Sequence, residues 1–194
     1  MDWEDLYMRT PPAELPWNAG GPDPDLVRLV ESGRIPGPHH PPEHTALPPG
    51  RQALDLGVGT GHDAVFLIQQ GFDVIAIDIS PTAVRLAREN ASDHGLFAFF
   101  QVGDIRHIPV EDHWVDFTND RGCFHLLDPQ DQPQAAAEIV RVMKPRGLFL
   151  LRVFREHKDL QALFAKNFKL LEAWDGTFAG PGQRLSYSML MEKK

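Results

Sequence analysis

Apolar and polar positions along this chain switch repeatedly between a short, strand-like run and a helical period. Ala53-Leu54-Asp55-Leu56 is a compact apolar run that breaks into alternate glycines, Gly57, Gly59 and Gly61, and resumes at helical spacing through Ala64, Val65, Phe66 and Leu67. That pattern predicts strand, tight turn and helix. Residues 72–78 give a second strand ending in Asp78, and Ser80-Pro81 opens a helix through Asn90 with Ala83, Val84, Ala87 and Ala91 on one face. Residues 97–104 predict a third buried strand, 114–120 a fourth and 147–153 a fifth. Asp128-Pro129 opens a helical region through Met143, with Ile139, Val140 and Met143 inward and Pro145-Arg146-Gly147 as its stop. Leu160, Leu163 and Phe164 mark another helix. Residues 167–174 and 184–192, on either side of a glycine-rich loop at 176–182, read as an antiparallel hairpin that closes a sheet of seven strands.

Ahead of this α/β pattern, Asp23 and Pro24 open a short amphipathic helix that Gly33 ends, and Trp3, Tyr7 and Trp17 lie in a stretch with no strand pattern of its own. Residues 34–50 hold Pro36, Pro38, Pro41, Pro42, Pro48 and Pro49, too many for a helix or a central strand. A length of 194 residues fits one domain, residues 1–194. Within it we expect an N-terminal lid and helix at 1–33, a proline-rich linker at 34–50 and an α/β core at 51–194. His39, His40, His44 and Glu43 in the linker have metal-ligand chemistry, but such a loop offers nothing to orient them, and no metal is expected.

Charge narrows the partners. The chain has 19 Lys plus Arg against 27 Asp plus Glu, a net −8, which disfavours nucleic acid. No apolar run approaches a membrane span and the acidic start is unlike a signal peptide, so a cytoplasmic protein is expected, as a monomer or weak homodimer. The single cysteine, Cys123, excludes an intrachain disulfide.

The glycine turn carries the candidate chemistry. Glycines permit positive φ and a close ligand approach, and the helix that follows presents free N–H groups. A dinucleotide fingerprint needs a third glycine where this chain has His62, which argues against a pyrophosphate on that helix. Asp78, at the second strand's end, is placed to take hydrogen bonds from ribose hydroxyls. A nucleoside without a pyrophosphate fits both facts.

These residues, Asp55, Gly57, Gly59, Gly61 and Asp78, resemble the first two motifs of the class I S-adenosylmethionine-dependent methyltransferases. The resemblance implies a Rossmann-like, mostly parallel, doubly wound sheet of seven strands with one antiparallel strand near the C-terminus. It implies S-adenosylmethionine as cofactor, with Asp55, the three glycines, Asp78 and Ile79 around it, Asp104 and the Ile105 amide beside the adenine, and Tyr7 and Trp17 closing over it. Asp120-Arg121-Gly122 after the fourth strand, with Trp3, Tyr7 and Pro16-Trp17, is similar to the thiopurine, thiol and halide methyltransferases and their tellurite-resistance relatives. The function implied is methyl transfer by in-line displacement to a small molecule, a soft sulfur or selenium nucleophile. Asp120 or His125 would serve as proton acceptor and Arg121 as an anchor for an anion. Amine, hydroxyl or carboxylate acceptors are the alternative within the family. A nicotinamide oxidoreductase and a non-enzymatic nucleotide-binding protein are the alternatives outside it.

Overall fold

The computed structural model describes residues 2–37, 51–178 and 184–194. Seven strands, β1 (Gln52–Leu56), β2 (Asp73–Asp78), β3 (Phe99–Val102), β4 (Val115–Arg121), β5 (Met143–Phe154), β6 (Phe168–Thr177) and β7 (Leu185–Lys193), form one sheet in the order β3-β2-β1-β4-β5-β7-β6. Strands β1 to β5 pair in parallel, and β7 runs antiparallel to both β5 and β6. The sheet is the doubly wound, mostly parallel one that the sequence predicts. The helices are α1 (Trp3–Arg9), α2 (Pro24–Glu31), α3 (His62–Gln69), α4 (Pro81–Asp93), α5 (Gln132–Val142) and the short α6 (Gln161–Phe164).

Successive residues of a strand point to opposite faces, and both faces of this sheet are covered, so its central strands are continuous apolar runs. Ala53 joins Val74, Ala76 and Phe117 against α2, α3 and α4. Leu54 and Leu56 join Ile77, Phe149 and Leu151 against α5 and α6. Helix starts follow their side chains: Asp23 accepts from the amides of Asp25 and Leu26 ahead of α2, and Ser80 Oγ accepts from the Ala83 amide ahead of α4. The inward face of α4 is Ala83, Val84, Ala87 and Ala91, as its spacing predicts.

Two expectations are corrected. Strand β3 is an edge, not a buried strand: Phe97 is 93% and Phe99 61% exposed, because β2 covers only one side of it. Helix α5 starts at Gln132, after a turn closed by Asp131 N–H to the Asp128 carbonyl, and ends at Val142. Met143 is buried in β5, not on the helix, and Pro145-Arg146-Gly147 lies inside the strand instead of separating it from a helix. The pairing with β4 shifts register there, Arg146 takes φ 65°, and a Cβ on Gly147 would stand 2.9 Å from the Lys144 carbonyl oxygen. Such an irregularity spares Pro145 from a regular ladder.

Gly61, at the start of α3, has φ 83°, and a Cβ there would lie 2.8 Å from Ala87 of α4. Gly61→Ala combines backbone strain with a helix–helix clash, and it should cost at least about 2 kcal/mol, read as a lower denaturant midpoint. An unshifted midpoint would refute this account of the α3–α4 contact.

Candidate active site

The carboxyl ends of β1, β2, β4 and β5 open on one cavity of about 520 Å³. The β1–α3 turn crosses its floor with Gly57, Gly59 and Gly61 at φ 67°, 55° and 83°. A side chain at Gly57 would meet Cys123 Cβ at 2.6 Å, so the glycine is what lets the end of β4 close over the turn. Asp78 ties the turn to β2: one carboxylate oxygen accepts from Gly59 N–H at 3.0 Å and the other from Ser80 N–H at 2.9 Å. Its carboxylate is therefore fixed where it lines the cavity.

Beneath the turn lies a buried ionic cluster. Arg152 of β5, almost wholly enclosed, pairs with Asp23 and, at 3.2 Å, with Asp63 of α3, and it donates to Asn119 Oδ1 at 2.9 Å. Asn119 in turn donates to Asp55 Oδ1 at 2.7 Å. Asp63 also accepts from the Asp23 amide at 2.7 Å, and Arg121 stands 3.2 Å from Asp23. Burial, then the neighbouring Asp63, pushes the Asp55 carboxyl up to about 8. With Asp55 holding its proton, the carboxylates of Asp23 and Asp63 face the guanidiniums of Arg121 and Arg152. The turn therefore offers two acids, Asp55 and Asp63, to the cavity.

The N-terminal segment roofs this cavity. Helix α1 is latched to the start of α4 by Glu4, which accepts from Ser80 Oγ at 2.5 Å, Thr82 Oγ1 at 2.7 Å and the Thr82 amide at 3.0 Å. Those bonds hold the Glu4 carboxyl below its usual range. Trp17 Nε1 donates to the Tyr7 hydroxyl at 3.2 Å, Trp3 meets Trp17 edge-on with centroids 5.7 Å apart, and Arg121 donates to the Trp17 carbonyl at 3.3 Å. Trp3, Tyr7 and Trp17 all line the cavity.

The residues singled out in the sequence divide accordingly. The cavity gathers Tyr7, Trp17, Asp55, Gly57, Gly59, Asp78, Ile79, Asp104, Ile105 and Arg121. Gly61 shapes the turn from behind. Asp104 is engaged by Arg106, whose Nε lies 3.0 and 2.9 Å from its two oxygens and which holds the carboxyl low. Asp120 and His125 are not on the cavity wall. The Asp120 carboxylate, fully buried, accepts from the amides of Gly122, Cys123 and Phe124 at 2.9–3.0 Å, so it caps the turn after β4. Burial raises it to about 7 against the pull of those amides. His125 points away, its ring 4.3 Å from Phe154 and 5.2 Å from His157, and burial drops it to about 4, so it is uncharged near neutral pH. Cys123 is a half-buried free thiol against Gly57, pushed up by burial.

Sequence reading missed Asp63, Asn119, Arg152 and Glu4. Only Asp63 carried a local signal, an acid in the first turn of the helix after the glycines. The other three gain their roles from partners 33 to 129 residues away in sequence. The linker residues His39, His40, Glu43 and His44 lie outside the described residues. Among the described residues no group of His, Cys, Asp and Glu is placed to hold a metal.

Residues 53–147 match the family model of a methyltransferase domain. The chain is 27% identical over 157 residues to 2-heptyl-1-hydroxyquinolin-4(1H)-one methyltransferase of Mycobacteroides abscessus, spanning 78% of this chain and 63% of that protein. It is 30% identical over 142 residues to a probable thiol methyltransferase 2 of Arabidopsis thaliana, spanning 72% and 56%. Among solved structures, one from work on conversion of a disulfide bond into a thioacetal group during echinomycin biosynthesis has a TM-score of 0.80 at 22% identity, covering 99% of this chain and 92% of that one, a likeness of fold. The chain spans from 34% to 63% of the length of these and other curated relatives it matches.

The raised Asp55 carboxyl fixes a pH dependence. It keeps in the folded chain a proton that the unfolded chain has already released, so stability falls as pH rises from the ordinary carboxylate value toward 8. His62 and His125, both held low, act in the opposite sense but only below 6.5. Asp55→Asn should therefore flatten the decline in unfolding free energy between about pH 7 and 8, measured by denaturant titration. A slope equal to that of the unaltered protein would show that Asp55 is ionised in the fold.

Proposed function

We infer that this chain is an S-adenosylmethionine-dependent methyltransferase of small molecules, and that its acceptor is a soft sulfur or selenium nucleophile. The observation that carries the reading is the cavity floor: a glycine turn with no room for side chains, flanked by a fixed Asp78 carboxylate and the Asp55–Asp63 pair. That set of acceptors suits a nucleoside with two adjacent hydroxyls at one end and a cationic amino acid at the other. The match of residues 53–147 to a methyltransferase domain supports it, as do the methyltransferase names of the relatives.

When bound, S-adenosylmethionine supplies an electrophilic methyl group on a sulfonium. The chain's own residues have the task of binding and alignment. Asp78 holds the ribose hydroxyls, Asp63 and Asp55 meet the ammonium, and Ile79 and Ile105 flank the base. Tyr7, Trp3 and Trp17 exclude water and offer ring faces to a positive charge. The leaving sulfur needs no protonation, so alignment in a dry pocket supplies most of the rate, worth up to ~7–11 kcal/mol in well-oriented reactions. The whole chain acts as one domain in this reading, with residues 3–17 forming its roof and α2 packed into its core. Among the described residues no helix is long and apolar enough to cross a membrane.

Asp78→Ala should weaken S-adenosylmethionine by about 1.5–3 kcal/mol, the range for hydrogen bonds to a charged group, in isothermal titration calorimetry. Unchanged affinity in a folded variant would remove Asp78 from the site, and tight NAD binding in place of S-adenosylmethionine would overturn the reading as a whole. Glu4→Ala should unlatch α1, raising the acrylamide quenching of tryptophan fluorescence and cutting turnover at least about fivefold. If quenching and turnover both stay put, the N-terminal helix is no lid.

A further inference from the structure

Four acids line the cavity, and two of them are already engaged, Asp78 by the Gly59 and Ser80 amides and Asp104 by Arg106. At the β5 end the wall is Leu126, Leu127, Phe154, Phe178 and Arg184, with no acid among the described residues. A cation in the cavity therefore finds its complement at the remaining two acids, Asp55 and Asp63. These belong to a cluster whose charges do not balance. Asp23, Asp55 and Asp63 bring three carboxyls, against two guanidiniums from Arg121 and Arg152. Asp23, Asp55, Asp63 and Arg152 are all at most 7% exposed, so a surplus carboxylate has almost no water to solvate it.

The hydrogen bonds identify the odd carboxyl. Asp23 is met at both oxygens: Oδ1 by Arg152 and the Asp25 and Leu26 amides, Oδ2 by Arg121. Asp63 is also met at both, Oδ1 by the Asp23 amide at 2.7 Å and Oδ2 by Arg152 at 3.2 Å. Asp55 accepts at Oδ1 from Asn119 at 2.7 Å, and among the described residues no donor meets its Oδ2. That oxygen is where the cluster's spare proton sits, in keeping with the upward push that burial and Asp63 give this carboxyl. Asn119 keeps its amide nitrogen toward Asp55 because its own Oδ1 is taken by Arg152 at 2.9 Å. The other titratable groups around Asp55 have partners of their own or stay uncharged. Asp120 of β4 is turned into three amides, and Asp25 of α2 accepts from Trp174 and Ser188. Burial keeps His62 of α3 and the Cys123 thiol uncharged near neutral pH.

Resting on the methyltransferase reading, we propose that this cluster is a one-proton exchange site: it takes up the ammonium of the cofactor's amino-acid end in place of the proton on Asp55, and so selects ligands that bring a cation there. The O–H bond of Asp55 breaks, its electrons stay on Oδ2, and the proton goes to solvent. Three carboxylates then face three cations. A nucleoside with no charge at this end leaves the proton where it is and gains nothing from the cluster.

The test uses the full chain with S-adenosylhomocysteine and with 5′-methylthioadenosine, which lacks the amino acid. Neither carries the sulfonium charge that would acidify a neighbouring amine and blur the count. Calorimetry in phosphate and in Tris, whose ionisation enthalpies differ, reads the protons exchanged. S-adenosylhomocysteine should release about one proton at pH 7, and its affinity should rise at least about fivefold from pH 6.5 to 7.5, because fewer sites have a proton left to displace as pH approaches 8. Binding of 5′-methylthioadenosine should exchange no proton and stay flat over that range. Asp55→Asn should abolish the release and weaken S-adenosylhomocysteine at least about tenfold at pH 8, with 5′-methylthioadenosine affinity within about twofold. If that variant does not fold, the proton counts of the unaltered chain with the two ligands decide the matter alone. S-adenosylhomocysteine bound without proton release, or a release that persists in Asp55→Asn, overturns the proposal while the methyltransferase reading stands. If neither S-adenosylhomocysteine nor S-adenosylmethionine binds, that reading fails and the proposal falls with it.

Discussion

Everything at the carboxyl end of this sheet depends on a guanidinium that has no water around it. Arg152 sits on a central strand, and an unpaired charge there would cost several kcal/mol. Its neighbours answer that cost from four separate parts of the chain: Asp23 before α2, Asp63 in α3, Asn119 in β4 and, through Asn119, Asp55 in β1. Removing one partner of such a cluster costs ~3–5 kcal/mol, because the remaining charges stay buried. The cluster adds little net stability over an apolar core, but it pins the register of four elements at the place where the cavity opens.

From that pin the roof follows. Arg121 joins the cluster through Asp23 and also holds the Trp17 carbonyl, so the roof's C-terminal end is tied to the floor's charge balance. Its N-terminal end is tied elsewhere, by Glu4 to the first turn of α4. Glu4 meets two hydroxyls and one amide of the first turn of α4, and Arg121 meets a single backbone carbonyl.

The cavity so enclosed has two unlike ends. Near β2 the wall is carboxylate and backbone amide, suited to a hydroxylated and positively charged ligand. Near β5 it is leucine and phenylalanine with arginine, suited to an apolar body with a negative charge. Between the two ends the wall carries Gly57 and the half-buried Cys123 packed against it.

How much of this was legible in the chain depends on the range of the interaction. The strand–turn–helix around Gly57, Gly59 and Gly61, the acid at the end of β2, the alanine face of α4 and the closing hairpin are local patterns of period and turn chemistry, so the sequence by itself determined them. It also determined the seven-stranded order of elements, because apolar runs alternating with helical periods allow few other sheets. Edge exposure of β3 was not legible: whether Phe97 and Phe99 are covered depends on what lies beside the strand, not on their own spacing. Nor was the fate of Asp120 and His125, one and four residues from Arg121 in sequence and chemically apt. Only the turn after β4, which folds the Asp120 carboxylate onto the amides of Gly122, Cys123 and Phe124 and swings His125 behind Phe154, decided that the wall would present Arg121, Leu126 and Leu127 instead. The same holds for Arg152, an arginine within an apolar strand whose meaning rests on Asp23 and Asp63, 129 and 89 positions earlier. Charges are solvated unless partners are brought to them, and which partners arrive is fixed by the sheet's topology, not by the residues alongside.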